Sequence, residues 1–312
     1  MRRLLYSPYA VVVLLALIVA LLPLVLPSTF YMRMAALVFI FALAVVGLNL
    51  LMGFAGQVSL GHAGFFGIGA YAVAVGPAHL GIPSWAALVL GAAAAGLMAF
   101  IVGRPILRLR GHYLAVATLG LGLLIALVFT NEAAWTGGPD GMPVPRLVVF
   151  GFRVFGPRMW YWIAGITLVI GTWICVNLIA SPTGRALRAI HDSETASRVL
   201  GVDVARYKLT AFVISAIYAA IAGAYLALFD GLVTPITAGF LRSIEFVTMA
   251  VLGGLGSIFG GIVGAALLVL LPQVLTVFHD YEHIVLGAVM ILIMIFLPTG
   301  IVPALAARFG RR

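Results

Sequence analysis

Charge is scarce in this sequence. Only 9% of the 312 residues are Asp, Glu, Lys or Arg, whereas 64% are hydrophobic and the mean hydropathy is +1.21. A soluble core cannot absorb that much apolar surface, and the apolar residues stand in long runs. A run of about 20 apolar residues crosses a bilayer as a helix. The composition therefore predicts a polytopic membrane protein and excludes a soluble globular domain.

Cysteine and the common catalytic motifs are also lacking. The single cysteine, Cys175, lies inside an apolar run, which excludes a disulfide framework and a cysteine metal site. The chain contains no Gly-x-x-x-x-Gly-Lys-Ser/Thr, no His-Glu-x-x-His and no Gly-x-Ser-x-Gly. We expect no catalytic residue, no cofactor and no metal, so the energy for any transport must come from another protein.

Carboxylates are nearly absent from the apolar runs, and this absence argues against an ion-driven transporter. Such a transporter usually needs an ionisable group inside the membrane, and placing one there is costly. Glu245, near the start of an apolar run, is the one candidate that keeps an ion-driven mechanism open.

The apolar runs and the polar breaks between them predict an all-α fold of about ten membrane-spanning helices. With the N-terminus inside, thirteen of the 18 Lys and Arg residues lie on the cytoplasmic side, as the positive-inside rule requires. Ten spans place both termini in the cytoplasm and form two five-helix halves of opposite orientation. The net charge of +9 is then explained by topology and anionic lipid heads, and we expect no nucleic-acid binding. The predicted spans are 9–27, 34–54, 58–76, 84–103, 112–130, 159–180, 209–229, 243–258, 259–278 and 284–303.

These spans suggest a simple division of the chain. Residues 1–33 are predicted to be a tail with a first membrane helix, and residues 304–312 a basic cytoplasmic tail. Residues 34–303 are predicted to form one transmembrane domain. Two long connections interrupt this domain: an outer loop at 131–158 and an inner loop at 181–208.

Glycine is concentrated in two of the apolar runs. Residues 53–76 read GFAGQVSLGHAGFFGIGAYAVAVG and residues 251–261 read VLGGLGSIFGG. Both fall in the third span of a predicted half, a position typical of an inverted repeat around a substrate path. Glycine also allows close helix packing in lipid, and the two interpretations are compatible. The candidate path residues are Gln57, Ser59, Gly61, His62, Gly64, Gly253, Gly254 and Gly256.

The two loops have recognisable local structure. In the outer loop, residues 147–155 are predicted to form a hairpin that bends at Gly151. In the inner loop, Ser181 and Pro182 are a good helix start, and Asp192 is predicted to cap a second helix at 193–200 that Gly201 ends. Capped helices favour docking to a cytoplasmic protein, although a helix lying on the lipid surface is also compatible.

Five stretches, in order, resemble the branched-chain amino acid permeases of bacterial ABC importers. They are GLNLLMGFAGQVSLGHAGFFGIGAY (47–71), GHYLAVATLGLG (111–122), TGGPDG (136–141), GRALRAIHDSETASRVLGVDVARYKLTAFVISA (184–216) and FVTMAVLGGLGSIFGGIVGA (246–265). The second and third stretches resemble the M-type subunit more than its H-type partner.

This resemblance implies a multi-pass protein of the bacterial inner membrane with several partners. They are a related H-type permease, two cytoplasmic ATP-binding subunits and a periplasmic amino-acid-binding protein. The inner loop would couple to an ATPase through Gly184, Arg185, Arg188, Asp192, Glu194, Ala196, Arg198 and Gly201. The outer loop would face the binding protein with Thr136, Gly137, Gly138, Asp140 and Gly141.

The leading hypothesis is therefore a non-enzymatic permease subunit of an ATP-driven importer for branched-chain or related amino acids. The same role with urea or short amides as substrate stays open, because in such systems selectivity lies largely in the binding protein. Two further hypotheses are an ion-coupled transporter of a small polar solute and a scaffold whose glycines only pack helices.

Overall fold

The computed structural model describes residues 8–25, 28–109, 111–149, 151–275, 287–288, 290–292 and 295–309, and these are mostly helical. The predicted tenth span, 284–303, lies partly outside the described residues, at 284–286, 289 and 293–294. The described helices of six residues or more are α1 (Pro8–Val25), α2 (Thr29–Asn49), α3 (His62–Leu80), α4 (Ser84–Ile106), α5 (His112–Asn131), α6 (Pro157–Ala180), α7 (Pro182–Asp192), α8 (Glu194–Val199), α9 (Val204–Asp230), α10 (Phe240–Gly253), α11 (Ile258–Leu275) and α12 (Ile301–Phe309), and a helical turn, Ala133–Thr136, follows α5.

Six of the described helices are long and apolar enough to cross a membrane. They are α2 together with the π-helical turn Leu50–Phe54 that continues it, and α3, α4, α5, α6 and α9. Helices α1 and α11 are apolar but shorter. These eight elements correspond to predicted spans, so the predicted all-helical membrane class is confirmed.

Helices α2 and α9 form the centre of the bundle. Every residue from Val38 to Asn49 is buried, because α2 is surrounded by α6, α9, α10 and α11. A helix that is apolar on all sides is suited to this position. Helix α9 packs against α3 and α4, whereas α4 and α5 keep apolar faces exposed, with Ile101 and Leu124 about 60% accessible. The lipid-facing or partner-facing surface of the bundle therefore includes α4 and α5.

Glycine sets the crossing of α3 and α9. A Cβ atom on Gly69 would overlap the carbonyl oxygen of Ala220, and one on Gly223 would overlap that of Phe66. In lipid, where apolar burial gives helices little reason to associate, such close backbone approach supplies the packing energy.

The structure corrects two predicted spans in the glycine-rich regions. The span predicted at 58–76 is helical only from His62, and residues 55–61, the first break, are not helical. The span predicted at 243–258 ends at Gly253, and residues 254–257, the second break, separate α10 from α11. The positive φ angles of Gly56, Gly254 and Gly256 end the regular hydrogen bonding there. Helix α10, at 14 residues, is about 21 Å long and falls short of a ~30 Å hydrocarbon core.

The inner loop differs from its prediction at two points. Helix α9 begins at Val204, where Asp203 accepts a hydrogen bond from the Arg206 N–H at 3.1 Å, so the connection is shorter than 181–208. Ser193, and not Asp192, caps α8, because its hydroxyl accepts the Ala196 N–H at 3.2 Å while Asp192 ends α7. The predicted cap at Ser181 is confirmed by its acceptance of the Thr183 N–H.

Short strands organise the outer loop. Strand β1 (Met142–Pro143) pairs antiparallel with β4 (Leu232–Val233), which follows α9. Strands β2 (Val148–Val149) and β3 (Phe152–Arg153) form the predicted hairpin, with Gly151 at φ +89°. The loop is thus tied to the end of the central helix α9.

Candidate functional site

The second break lies against the end of α2 and the π-helical turn that leads into the first break, and Asn49 holds it there. Its Nδ2 donates to the carbonyl oxygens of Ser257 at 2.8 Å and Gly254 at 3.3 Å, and its Oδ1 accepts the Gly256 N–H at 2.8 Å. A Cβ atom on Gly53 would overlap the backbone nitrogen of Gly256. One fully buried amide side chain therefore bonds three backbone groups of the second break. It accepts the Gly256 N–H, and it adds a second donor to the Ser257 and Gly254 carbonyls, which also accept the Gly261 and Ser257 N–H groups.

Hydroxyl groups from three other helices hold the first break and the start of α3. Thr118 of α5 accepts the Leu60 N–H at 3.1 Å, and Ser243 of α10 accepts the Ala63 N–H at 3.0 Å. Ser215 of α9 lies 3.3 Å from Nε2 of His62. The irregular backbone is thus fastened to protein, which is the condition for a break at membrane depth.

The residues of the first break alternate between two sides. Gln57, Ser59 and His62 are buried, and Gln57 donates to the carbonyl of Ala55 in its own segment. Gly56 and Val58 are exposed, and Val58 keeps 41% of its surface accessible. The sequence predicted Gln57, Ser59 and His62 as path-lining residues, and the structure directs all three toward the interior of the chain.

The second break also has an exposed side. Leu255 keeps 44% of its surface accessible, and Gly256 beside it is exposed. Val58 and Leu255 therefore give each break an exposed, branched aliphatic side chain. Sequence reasoning did not single out either residue, because nothing in a mostly apolar sequence distinguishes them.

The remaining predicted path residues are glycines in close contact with neighbouring elements. A Cβ atom on Gly61 would overlap the Thr118 carbonyl oxygen, and one on Gly64 would lie 2.9 Å from Cδ1 of Ile125. A Cβ atom on Gly253 would overlap the Gly260 carbonyl oxygen, at the junction of α10 and α11. Packing is therefore an observed role of these glycines, and path lining stays a prediction.

Helix α7 of the inner loop is anchored to the membrane bundle. Leu187 and Ile190 are buried, and a Cβ atom on Gly184 would overlap the backbone of Ile179. Arg188 donates to the Ile179 carbonyl oxygen at 2.9 Å, near the end of α6. Arg185 and Arg188 are both exposed, and the two differ in that Arg188 makes this hydrogen bond to the bundle.

Helix α8 is held by one carboxylate and presents an apolar tip. Glu194 forms ion pairs with the buried Lys208 of α9 and, at 3.7 Å, with Arg198. Val199 and Leu200 are 83% and 80% exposed, and Gly201 at φ +81° ends the segment, as predicted. Asp192 and Ala196 are also exposed on this loop. We refer to Val199 and Leu200 as the apolar tip.

The inner loop touches the first break directly. A Cβ atom on Gly56 would lie 2.9 Å from Nδ1 and 3.5 Å from Cα of His191, near the end of α7. Helix α7 also contacts the π-helical turn that precedes the break. A displacement of α7 would therefore reach the first break directly, through the contact between His191 and Gly56.

The TGGPDG turn of the outer loop is compact. The hydroxyl of the buried Thr136 lies 2.7 Å from the Phe129 carbonyl oxygen and accepts the Gly138 N–H at 3.2 Å. Gly137, Gly138 and Gly141 all have positive φ angles, which favour glycine. Asp140 is exposed beside them. The turn thus exposes the Asp140 carboxylate, and its backbone conformation depends on the three glycines.

Glu245 forms an ion pair within its own helix. It lies 2.6 Å from Nη1 of Arg242, one turn earlier on α10, and 41% of its side chain is exposed. The Arg242 guanidinium also stands over the Phe41 ring at 5.2 Å. Among the described residues, no three His, Cys, Asp or Glu side chains form a group that could hold a metal ion.

Sequence reasoning recognised some of the residues that hold the breaks and missed others. Polar residues at membrane depth are expected to bond other segments, and Asn49, Asn177 and Ser215 do so. Gln57 and Thr248 instead bond Ala55 and Ile244 of their own segments. Thr118 and Ser243 were missed as contacts. Their only signal is that each is a hydroxyl residue within an apolar run, and such residues often bond their own helix instead.

A bundle of membrane-length helices with two broken segments at its centre, and a capped loop against one of them, has the architecture of a transport permease. The family model described as the permease component of branched-chain amino acid transport systems matches residues 30–294, and the chain belongs to that family. It is a multi-pass inner-membrane permease and not an enzyme.

Several relatives share most of the chain. It is 35% identical to the high-affinity branched-chain amino acid transport system permease protein LivM of Escherichia coli K12 over 86% of this chain and 69% of that protein. The LivM protein of Salmonella typhimurium is 34% identical over the same shares. The LivH permease protein of Escherichia coli K12 is 26% identical over 84% of this chain and 90% of that protein. No solved structure gives a significant match.

Proposed function

We propose that this chain and a second, H-type permease together form the translocation path of an ATP-driven importer of branched-chain amino acids. Two cytoplasmic ATP-binding subunits supply the energy, and a periplasmic binding protein delivers the amino acid. The similarity to both LivM and LivH, each named as a branched-chain amino acid permease, supports this assignment. The contact between α7 and the first break is the structural observation that carries it.

The proposed topology has ten spans, two inverted five-helix halves and both termini in the cytoplasm. Residues 34–303 form its transmembrane domain, between the first helix with its tail (1–33) and a basic tail (304–312). The bias of Lys and Arg toward the inner loop and the chain ends supports this orientation.

The proposed path runs along the exposed side of the two breaks. Gly56 and Gly256 provide exposed backbone there, and Val58 and Leu255 provide branched aliphatic surface. Aliphatic surface suits the side chains of Leu, Ile and Val better than urea or short amides, which offer little apolar area. The buried Gln57, Ser59 and His62, with the glycines at 61, 64, 253 and 254, form the wall behind this surface.

The proposed coupling step begins at the apolar tip. Val199 and Leu200 seat in the ATP-binding subunit, and the exposed Arg185 and Asp192 contact the rim of the same interface. Movement of α7 then reaches Gly56 through His191. The TGGPDG turn, with the exposed Asp140, meets the binding protein on the other side of the membrane.

The decisive experiment is purification of the tagged chain from its native membrane, followed by mass spectrometry and reconstitution. We expect two ATP-binding subunits and one related permease in the complex, and ATP-dependent uptake of radiolabelled leucine when the binding protein is added. A Walker-lysine variant of the ATPase serves as control and should abolish uptake. A chain that purifies alone would contradict the proposal, and uptake of urea in place of leucine would change its substrate.

Glu245→Gln separates this function from ion-coupled transport. Because Glu245 is partly exposed and already paired with Arg242, we expect the variant to keep at least half of the ATP-dependent uptake. Uptake that is lost in the variant, and that a proton ionophore abolishes in the wild type at constant ATP, would support ion coupling instead.

A further inference from the structure

A basic cleft lies where α4 ends and α9 begins. It has a volume of about 730 Å³, and its polar lining includes Arg104, Arg108, Arg198, Arg206, Lys208 and Asp203. Its apolar lining includes Phe100, Leu107, Leu209, Val213 and Ile214. The cleft thus combines a cationic end with a wall of hydrocarbon side chains.

The cations of this cleft are only partly neutralised within the chain. Glu194 pairs with Lys208 and Arg198, and Asp203 bonds a backbone N–H at the start of α9. No carboxylate among the described residues lies within ion-pair distance of Arg104, Arg108 or Arg206. Three exposed guanidinium groups therefore remain available to an anion.

The position of the cleft identifies the kind of anion. The cationic end lies at the ends of two membrane-length helices, Ile106 of α4 and Val204 of α9, and is therefore at the level of the lipid head groups. Toward the membrane interior, α4 exposes Leu97, Phe100 and Ile101, an apolar surface that suits an acyl chain. A ligand that fits both ends carries a phosphate and an aliphatic chain.

We infer that this cleft binds an anionic glycerophospholipid, with its phosphate at Arg104, Arg108 and Arg206 and an acyl chain along Phe100, Leu209 and Val213. The guanidinium of Arg104 stands 4.3 Å from the Phe100 ring centroid, which holds it at the junction of the two parts. Guanidinium groups bind phosphate oxygens through paired N–H donors. The assignment of this lipid to the inner leaflet rests on the proposed topology. The lipid site itself rests on the residues that line the cleft.

The lipid also connects the inner loop to the membrane bundle. Arg198 of α8 lines the same cleft as Arg104 of α4, although those two helices share few contacts in the described part of the chain. A phosphate bound in the cleft also attracts Arg198 and so braces the loop that carries the apolar tip. Lipid occupancy therefore raises the melting temperature of the purified chain.

The test compares lipids on the purified full-length chain by native mass spectrometry and thermal unfolding. We expect phosphatidylglycerol to bind at least tenfold more tightly than phosphatidylcholine of the same acyl length. In Arg104→Gln/Arg108→Gln this affinity should fall about 30-fold, because each near-surface arginine contributes roughly fivefold. Arg104→Lys/Arg108→Lys should retain most of it.

Arg185→Gln is the matched control, because Arg185 is an exposed arginine of the inner loop that does not line the cleft. It should leave phosphatidylglycerol affinity within twofold of the wild type. Equal loss in this control, or equal binding of phosphatidylcholine, would overturn the proposal. Competition by millimolar glycerol phosphate as strong as that by the lipid would show a free-phosphate site and would also overturn it.

A second experiment, photocrosslinking of the wild-type chain, tests the proposal even if the double variant does not fold. A photoactivatable phosphatidylglycerol, with the reactive group on its acyl chain, is crosslinked to the wild-type chain in nanodiscs. We expect peptides from 97–109 and 204–214 to carry the label, and labelling spread evenly over α1, α5 and α6 would refute a specific site. Because neither readout involves transport, failure of this inference and failure of the proposed importer function are distinguishable.

Discussion

Asn49 has the largest structural role of any single polar side chain at the two breaks. A buried amide that bonds three backbone groups makes an irregular chain segment tolerable inside the membrane, where water cannot replace the missing partners. The hydroxyls of Thr118 and Ser243 do the same for the first break. The centre of this permease is thus specified by a few short polar side chains and by glycines without a Cβ.

Asn49→Leu should destabilise the chain strongly. The substitution keeps the side-chain volume but removes the acceptor of the Gly256 N–H and one of the two donors to each of the Ser257 and Gly254 carbonyls, at a cost of about 1–3 kcal/mol. Asn177→Leu is the matched control, because Asn177 makes one hydrogen bond, to the Tyr9 hydroxyl at 3.0 Å, worth about 0.6 kcal/mol. The measurement is thermal unfolding in detergent, and equal melting temperatures for the two variants would contradict the role given to Asn49.

Gly254→Ala should impair folding through its backbone. The φ of Gly254 is +117°, and a Cβ atom there would lie 2.5 Å from Cδ of Pro303. We expect a loss of more than about 2 kcal/mol from strain and overlap together. Gly120→Ala is the control, because Gly120 lies within α5 with open space around a Cβ atom, and helix propensity predicts a small stabilisation. Normal expression and melting of Gly254→Ala would show that the second break can relax.

At the scale of elements, the two short helices of the inner loop differ in role. Helix α7 buries Leu187 and Ile190 and lies against the first break, so it behaves as part of the bundle. Helix α8 is attached through Glu194 and leaves the apolar tip exposed. Asp192 was a reasonable sequence-based choice of cap, but Ser193 has the extended backbone that an N-cap requires.

Val199→Ser/Leu200→Ser should uncouple the permease without unfolding it. Both side chains are exposed, so the free chain should keep its melting temperature, whereas the loss of two apolar anchors should reduce ATPase binding about 10- to 100-fold. The readout is co-purification of the ATP-binding subunits. The control is Ile236→Ser/Leu241→Ser, an exposed apolar pair beyond β4 near the outer loop, which should retain the ATPase. Full retention by the first variant would exclude the apolar tip as an anchor.

At the scale of the whole molecule, burial decreases from the centre outward. Helices α2 and α9 are enclosed, whereas α4 and α5 expose apolar faces to lipid or to a second permease. The outer loop is tied to α9 by the β1–β4 pair, and Lys208 ties the inner loop to the same helix. Helix α9 is therefore in direct contact with both loops, and so is α6, which receives hydrogen bonds from Phe155 of the outer loop and Arg188 of the inner loop.

Membrane orientation can be tested with cysteine accessibility. Cys175 is 2% exposed, so a Cys175→Ala background should be stable and unreactive. In cells treated with a membrane-impermeant maleimide, we expect Asp140→Cys to be labelled at least tenfold more than Leu200→Cys. After permeabilisation of cells that express the chain without its ATP-binding subunits, which would cover Leu200, the two should be labelled equally, because both positions are exposed in the free chain. The reverse pattern in intact cells would invert the proposed topology.

Local sequence signals specify the membrane class, the approximate extents of the long helices and the existence of the loop elements. These features depend on local signals: apolar length, N-cap chemistry at Ser181 and the turn at Gly151. The resemblance carried by its motifs also identified the permease family, which the match to residues 30–294 confirms.

The positions of the two breaks, and the side chains that are buried or exposed within them, follow from the tertiary structure alone. The apolar sequence around residue 58 does not show that helix α3 begins at His62, because the break depends on Thr118 and Ser243 from distant helices to bond its free N–H groups. For the same reason Gln57 and Val58, adjacent in sequence, point to opposite sides of the chain. Side-chain direction in irregular backbone follows contacts that are remote in sequence, and no local pattern encodes them.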